Sequence, residues 1–97
     1  MGDATWKAIE RKICAKFGGK RSGPTGRMGP DCVETAPFAL QIKHRKNVPQ
    51  WLTDAHVQAL NDAPRGMLPV LVLHPKGWAI GESLIVIRLA TFIEWYV

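Results

Sequence analysis

The sequence has few cysteines and no long apolar segments. Its two cysteines, Cys14 and Cys32, fit neither the spacing of a zinc site nor a disulfide framework, so we expect each to pack as a small core residue. No segment reaches the roughly 18 apolar residues that a membrane-spanning helix needs, and no signal-peptide pattern opens the chain. These absences favour a protein of the reducing cytoplasm.

Acidic residues are scarce in the first half of the chain. Residues 1–46 contain ten Lys and Arg against four Asp and Glu, whereas residues 47–97 contain three against four. The two halves therefore carry net charges of +6 and −1. A generally basic protein would spread its positive charge evenly, whereas a concentrated excess suits a polyanion. The distribution therefore predicts nucleic acid as the partner.

The spacing of apolar residues predicts one α/β domain over residues 1–97. Helices are predicted from the N-terminal region to about Lys16, from Pro49 to about Ala63, and over the last eight residues. Strands are predicted over 32–34, 38–43, 67–75 and 82–89. Because residues 67–75 form a continuous apolar run after a helix, we expect a right-handed parallel crossover there. The result would be a mixed sheet flanked by helices.

The stretch from Gly26 to Lys46 contains the residues with the clearest chemical potential. Asp31 follows a Gly-Pro turn, and the predicted strand after it alternates between two faces. Phe38, Leu40 and Ile42 occupy the core face, and Ala39, Gln41 and Lys43 occupy the other. A hairpin through Pro37 would bring Asp31, Gln41 and Lys43 together at one end of a sheet.

A carboxylate, an amide oxygen and a lysine in one place suit metal-assisted cleavage of a phosphodiester. Oxygen ligands bind Mg²⁺ while leaving positions for water and a phosphate oxygen. A neighbouring ammonium group can polarise water or stabilise the charge that grows on the phosphate. Each fragment also has a plain structural explanation, since Pro-Asp is a common turn and a lysine often ends an exposed strand.

These residues resemble the motif of the PD-(D/E)XK nuclease superfamily, in which Pro-Asp is followed by a hairpin and then by acidic-x-Lys. The motif here is Pro30-Asp31 followed by Gln41-Ile42-Lys43. The chain is most similar to small archaeal-type Holliday junction resolvases and related phage endonucleases, which also have a Glu on the first helix and an Arg-Ser before the Asp. Glu10 and Arg21-Ser22 occupy the matching positions.

The resemblance implies a restriction-endonuclease-like fold with the order α-β-β-β-α-β-β-α. It also implies a cofactor, Mg²⁺ or Mn²⁺, and a location in a bacterial or phage-infected host cell. In this family pattern Lys43 activates water. Glu10 and Asp31 bind the metal through their carboxylates, Gln41 through its amide oxygen and Ile42 through its backbone carbonyl. Gln58, on the second helix, is a weaker candidate, because some relatives use a Gln there.

The DNA backbone is expected to contact two basic segments. The first is the glycine-rich stretch from Gly18 to Gly29, which predicts a mobile loop and has a flexible linker as its alternative explanation. The second directly follows the proposed site. The candidate phosphate-binding residues in the two segments are Lys20, Arg21, Ser22, Arg27, His44, Arg45 and Lys46.

Gln41 departs from the family pattern, which has Glu or Asp at this position, and it leaves the function open. The first hypothesis is a metal-dependent endonuclease that cuts branched or junction DNA. Cutting two opposed strands requires a two-fold homodimer, for which the apolar C-terminal segment is a candidate surface. The alternatives are a non-catalytic DNA-binding protein on the same fold, and an inactivated nuclease in which Gln41 replaces a native Glu.

Overall fold

The computed structural model describes residues 2–23 and 29–97 and confirms the α/β class. Its elements, in chain order, are α1 (Gly2–Lys16), β1 (Lys20–Arg21), β2 (Cys32–Val33), α2 (Gln50–Asp62), β3 (Leu71–Leu73), a 3₁₀ turn (Ile80–Glu82), β4 (Leu84–Val86) and α3 (Leu89–Tyr96). The described strands form two separate two-stranded antiparallel sheets. The chain divides into two compact units, residues 1–46 and 47–97. The single nuclease-like domain and its restriction-endonuclease-like order stay predictions.

In the first unit, α1 buries the face that the helical spacing predicts. Trp6, Ile9, Ile13 and Phe17 are all half-buried, and Cys14 on the same side is fully buried. The helix ends at Lys16, and Phe17 packs edge-on against Phe38 with ring centroids 5.7 Å apart. The apolar stripe therefore attaches α1 to the segment that follows β2.

A disulfide joins Cys14 of α1 to Cys32 of β2, so the prediction that they are unpaired is wrong, whereas their predicted place in the core is confirmed. Their Cα atoms lie 5.6 Å apart, within the range of about 4.4–6.8 Å that disulfides occupy. The two positions are 18 residues apart in sequence and meet because β2 returns to the buried face of α1. A spacing pattern does not contain this information, because the pairing depends on tertiary packing.

The glycine-rich stretch between α1 and β2 is more ordered at its start than expected. Lys20 pairs with Val33 and Arg21 with Cys32 in an antiparallel ladder, so the prediction of a loop over the whole of 18–29 is wrong for these two residues. Gly19 makes the approach possible, because a Cβ there would collide with the Val33 carbonyl oxygen. The ladder ends where Glu34 adopts a left-handed backbone conformation, with φ of 62°.

Residues 38–43 are not a regular strand, which corrects that prediction, but their faces are as predicted. Phe38, Leu40 and Ile42 are half-buried, whereas the three residues between and after them are exposed. The backbone N–H of Asp31 donates to the Leu40 carbonyl at 2.8 Å. The next bond comes from Ile42 N–H to the Asp31 side chain, at 2.6 Å. A side-chain acceptor replaces a main-chain one here, so the alternating ladder of a sheet does not continue.

In the second unit, α2 matches its prediction within one residue at each end, with Pro49 as N-cap and Ala63 as C-cap. Its half-buried side follows the helical pattern of apolar positions and packs against β3. β3 pairs with β4 in antiparallel register, with Val72 opposite Ile85. The predicted parallel crossover requires a strand before α2 in the same sheet as β3; among the described strands β3 pairs with β4 alone, so that crossover is not formed. No described helix is long and apolar enough to cross a membrane.

Candidate active site

Asp31 connects three stretches of the first unit. Its carbonyl oxygen accepts the Ser22 backbone N–H at 2.9 Å, and its own N–H donates to Leu40. Its carboxylate Oδ2 accepts the Ile42 N–H at 2.6 Å. Asp31 thus lies between the end of β1 and the segment that contains the Gln-x-Lys motif. The two halves of the predicted motif, which are separate in sequence, meet at the peptide bond between Gln41 and Ile42.

Gln41 and Lys43 lie on either side of Ile42, the residue whose N–H donates to Asp31. Ile42 is half-buried on the core side, so its neighbours Gln41 and Lys43 both face solvent. Asp31 itself is half-buried. The chain therefore presents a carboxylate at the surface boundary with an exposed amide and an exposed ammonium group on the adjoining segment. This is the arrangement that the alternation of residues 38–43 predicts.

Glu10 and Arg21 form an ion pair that sequence analysis did not predict. Arg21 Nε donates to Glu10 Oε1 at 2.9 Å, and the side chains are only 19% (Arg21) and 16% (Glu10) exposed. The Arg21 guanidinium carbon lies 5.0 Å from the centre of the Trp6 ring. Trp6 and Glu10 are four residues apart on α1, and therefore on one face of the helix. Glu10, proposed for the metal, and Arg21, proposed for phosphate, are thus direct partners.

The other candidate phosphate-binding residues differ in how firmly they are held. Lys20 is 74% exposed and pairs with Glu34 at 3.7 Å, a surface contact of little energetic weight. The Ser22 hydroxyl donates to the Pro30 carbonyl at 3.1 Å. His44, Arg45 and Lys46 are exposed. Arg27 lies outside the described residues, so its contribution stays a prediction.

The donor atoms at this site have the chemistry that Mg²⁺ or Mn²⁺ requires. A carboxylate that accepts one N–H, as Asp31 does, keeps further lone pairs for a cation. Gln41 contributes an amide oxygen and Ile42 a carbonyl oxygen, and both are hard ligands. Among the side chains of residues 5–23 and 29–97, no three from His, Cys, Asp or Glu converge. The predicted set contains only two carboxylates, so this leaves the prediction unchanged. Glu10 accepts Arg21 through one oxygen, Oε1, so the positive charge of Arg21 competes with a cation at this carboxylate.

Three structural contributors were missed by sequence analysis. Trp6 contacts the Arg21 guanidinium. The sequence signal for this contact was the position of Trp6 on α1, one turn before Glu10. The buried Thr35 hydroxyl donates to the Phe38 carbonyl at 2.7 Å within the turn before the motif, a local bond of the kind that Thr hydroxyls form in turns. The disulfide had no local signal. Gln58 is exposed on α2 in the second unit, and its role stays a prediction.

Comparison with known proteins gives no further assignment: no family model, no curated protein and no solved structure matches the chain.

Proposed function

We propose that the chain is an endodeoxyribonuclease of the PD-(D/E)XK type, dependent on Mg²⁺ or Mn²⁺, that cuts branched or junction DNA. The observation that carries this proposal is the hydrogen bond from Ile42 N–H to Asp31 Oδ2. It brings the Pro-Asp and Gln-x-Lys parts of the motif to one point, although a turn with a buried threonine separates them in sequence. A chance occurrence of the two fragments would not require them to meet.

The proposed roles follow from residue chemistry and exposure. Asp31, the Gln41 amide and the Ile42 carbonyl would hold the cation, with Glu10 as a further carboxylate. A bound divalent cation supplies Lewis acidity at the scissile phosphate. Lys43, exposed on the same side as Gln41, would orient the attacking water and stabilise the charge that develops on the phosphate oxygens.

Charge supports DNA as the substrate. The first unit has a net charge of +6, and it contains every proposed site residue. Arg45 and Lys46 are exposed directly after the motif, where they can contact phosphates on either side of the scissile bond. Because such contacts read the backbone and not the bases, specificity would come from DNA shape. This favours a structured substrate, such as a four-way junction.

Cutting a junction symmetrically needs two active sites related by a two-fold axis, so we propose a homodimer. The apolar C-terminal segment is the candidate surface. In α3, Trp95 and Tyr96 are 51% and 53% exposed, so this helix presents two large aromatic side chains to solvent. Sedimentation velocity on the native chain and on a Trp95→Glu variant measures whether this helix holds two copies together.

A non-catalytic DNA-binding protein is the second candidate function. Two observations favour it: Gln41 supplies no negative charge, and Glu10 is already paired with Arg21. Both reduce the charge available to a divalent cation. An inactivated nuclease, in which Gln41 replaces a Glu, would have the same properties at this position.

A cleavage assay separates the two candidate functions. The chain is incubated with Mg²⁺ or Mn²⁺ and a synthetic four-way junction, a flap, a duplex or a single strand, and the products are resolved on a denaturing gel. The nuclease proposal expects metal-dependent cuts in the branched substrates, removed by EDTA. Binding to these substrates without cleavage in either metal would favour the non-catalytic protein.

A further inference from the structure

We infer that Arg21 is a positioning residue that exchanges partners: it neutralises Glu10 in the free protein and moves to a DNA phosphate when substrate binds, which releases Glu10 for the divalent cation. The inference rests on the proposed nuclease function and adds a regulation of that site. Metal binding at Glu10 would thereby depend on the presence of DNA.

The Glu10–Arg21 pair is largely enclosed by the protein. Both side chains are less than one-fifth exposed, and a charge at such a position that is left without its partner is strongly destabilising. A cation at Glu10 would therefore lie beside the positive charge of Arg21, which opposes metal binding unless Arg21 also gains an anion. An exchange in which phosphate replaces Glu10 and metal replaces Arg21 leaves neither charge unpaired.

The geometry of Arg21 suits this exchange. The hydrogen bond to Glu10 uses Nε, and a guanidinium has four further N–H donors on its two terminal nitrogens. The guanidinium carbon also lies over the Trp6 ring, 5.0 Å from its centre, in a cation–π contact that does not use Glu10. An arginine held on an aromatic face can reorient toward a phosphate while keeping part of its packing.

The backbone connects this pair to the rest of the site. Arg21 ends β1, and the next residue, Ser22, donates its N–H to the carbonyl of Asp31. Arg21 itself pairs with Cys32, which follows Asp31 in the chain. The disulfide from Cys32 to Cys14 fixes this ladder to the helix that contains Glu10. Glu10, Arg21 and Asp31 thus belong to one connected framework, through which a change at the ion pair can reach the metal site.

The test measures cation affinity by calorimetry with and without a synthetic four-way junction, using Ca²⁺ as the probe and a gel to verify that the junction stays intact. Arg21→Gln removes the competing charge, so it should bind Ca²⁺ at least about five-fold more tightly than the native chain without DNA. With the junction bound, the two proteins should differ by less than about two-fold. Equal or weaker binding by Arg21→Gln without DNA would overturn the inference, since it would mean that Arg21 holds Glu10 in its metal-binding position.

A charge-balanced double variant provides a second test in case the Arg21→Gln variant misfolds. Glu10→Gln with Arg21→Gln removes the pair as a neutral unit, and melting temperatures verify that both variants fold. Because Glu10 is unavailable in the free protein, the double variant should match the native Ca²⁺ affinity within about two-fold without DNA. Once the junction is bound, its Ca²⁺ affinity should be at least about five-fold weaker than that of the native chain. An equal weakening in both states would contradict the exchange.

The outcomes also separate this inference from the proposed function. In one outcome, the native chain binds Ca²⁺ more tightly with DNA, but each variant differs from it by the same factor with and without DNA. The metal site is then retained and the exchange is refuted. A native chain that binds no Ca²⁺ in either state, at protein concentrations that detect millimolar affinity, refutes both.

Discussion

The backbone N–H of Ile42 donates a 2.6 Å hydrogen bond to Oδ2 of Asp31. This bond joins a half-buried carboxylate to the backbone between two exposed residues, Gln41 and Lys43. It also explains why residues 38–43 leave the regular ladder, because the acceptor is a side chain. The candidate site and the irregularity of the chain therefore have the same origin.

Replacing Asp31 with Asn should abolish cleavage and preserve DNA binding. The Asn side chain retains an oxygen to accept the Ile42 N–H, so the local geometry should survive while the charge that holds the cation is removed. We expect cleavage to fall by at least about 100-fold, with DNA affinity unchanged or higher. Asp62→Asn, an equal charge change at an exposed position at the end of α2, serves as the control. Full activity in Asp31→Asn would remove this residue from the site.

The basic segment after the motif should contribute to DNA affinity by neutralising phosphates. A double Arg45→Ala and Lys46→Ala variant should weaken binding to all sequences alike. It should also lower the slope of log K against log salt by about 0.9 for each phosphate that is no longer neutralised. Arg65→Ala with Lys76→Ala gives the same change in net charge on exposed residues of the second unit. Equal slopes in the two variants would mean that net charge, and not this segment, attracts DNA.

The disulfide should stabilise the first unit. Closing a loop of this length, with a sequence separation of 18, contributes about 3 kcal/mol in the chain-entropy model. A Cys14→Ala and Cys32→Ala variant should therefore unfold at lower denaturant concentration than the native chain, and reduction of the native chain should have a similar effect. Mass spectrometry after alkylation in denaturant, without reductant, checks the bond itself. Two alkylated cysteines would contradict it.

Gly19 should tolerate no side chain. A methyl group there would overlap the Val33 carbonyl oxygen and lie 2.5 Å from the Thr35 methyl carbon, and the first of these is backbone that cannot rotate away. Gly19→Ala should cost about 1–3 kcal/mol, as overpacking does elsewhere. Gly81→Ala is the matched control, because a Cβ at that position meets nothing within 4 Å. Similar melting temperatures for the two variants would show that β1 can shift.

Local features of this chain were predictable, and features that depend on tertiary packing were not. Pro49 and Ala63 bound α2 as expected, because helix ends are determined by nearby residues. The inward face of residues 38–43 was also predictable from its alternation. The sheet that β3 joins was not, since an apolar run indicates burial but not which strands pair with it.

The pairings that organise the site were beyond sequence reasoning for the same reason. Glu10 and Arg21 were assigned separate roles, and their ion pair follows from how β1 lies against α1. The cysteine pair depends on the same packing. Because the prediction of a reducing cytoplasm relied in part on unpaired cysteines, that part of its basis no longer holds; the compartment stays a prediction.

The nuclease account is tested most directly at Gln41. A Gln41→Glu variant adds a full negative charge to the exposed position next to Ile42, and hard dications favour charged oxygen ligands. Calorimetric titration with Mn²⁺ and cleavage of a four-way junction are measured on both forms. The account predicts tighter metal binding in the variant, by about ten-fold, together with faster cleavage. Unchanged metal affinity, with no cleavage by either form, would contradict it and leave a basic DNA-binding protein.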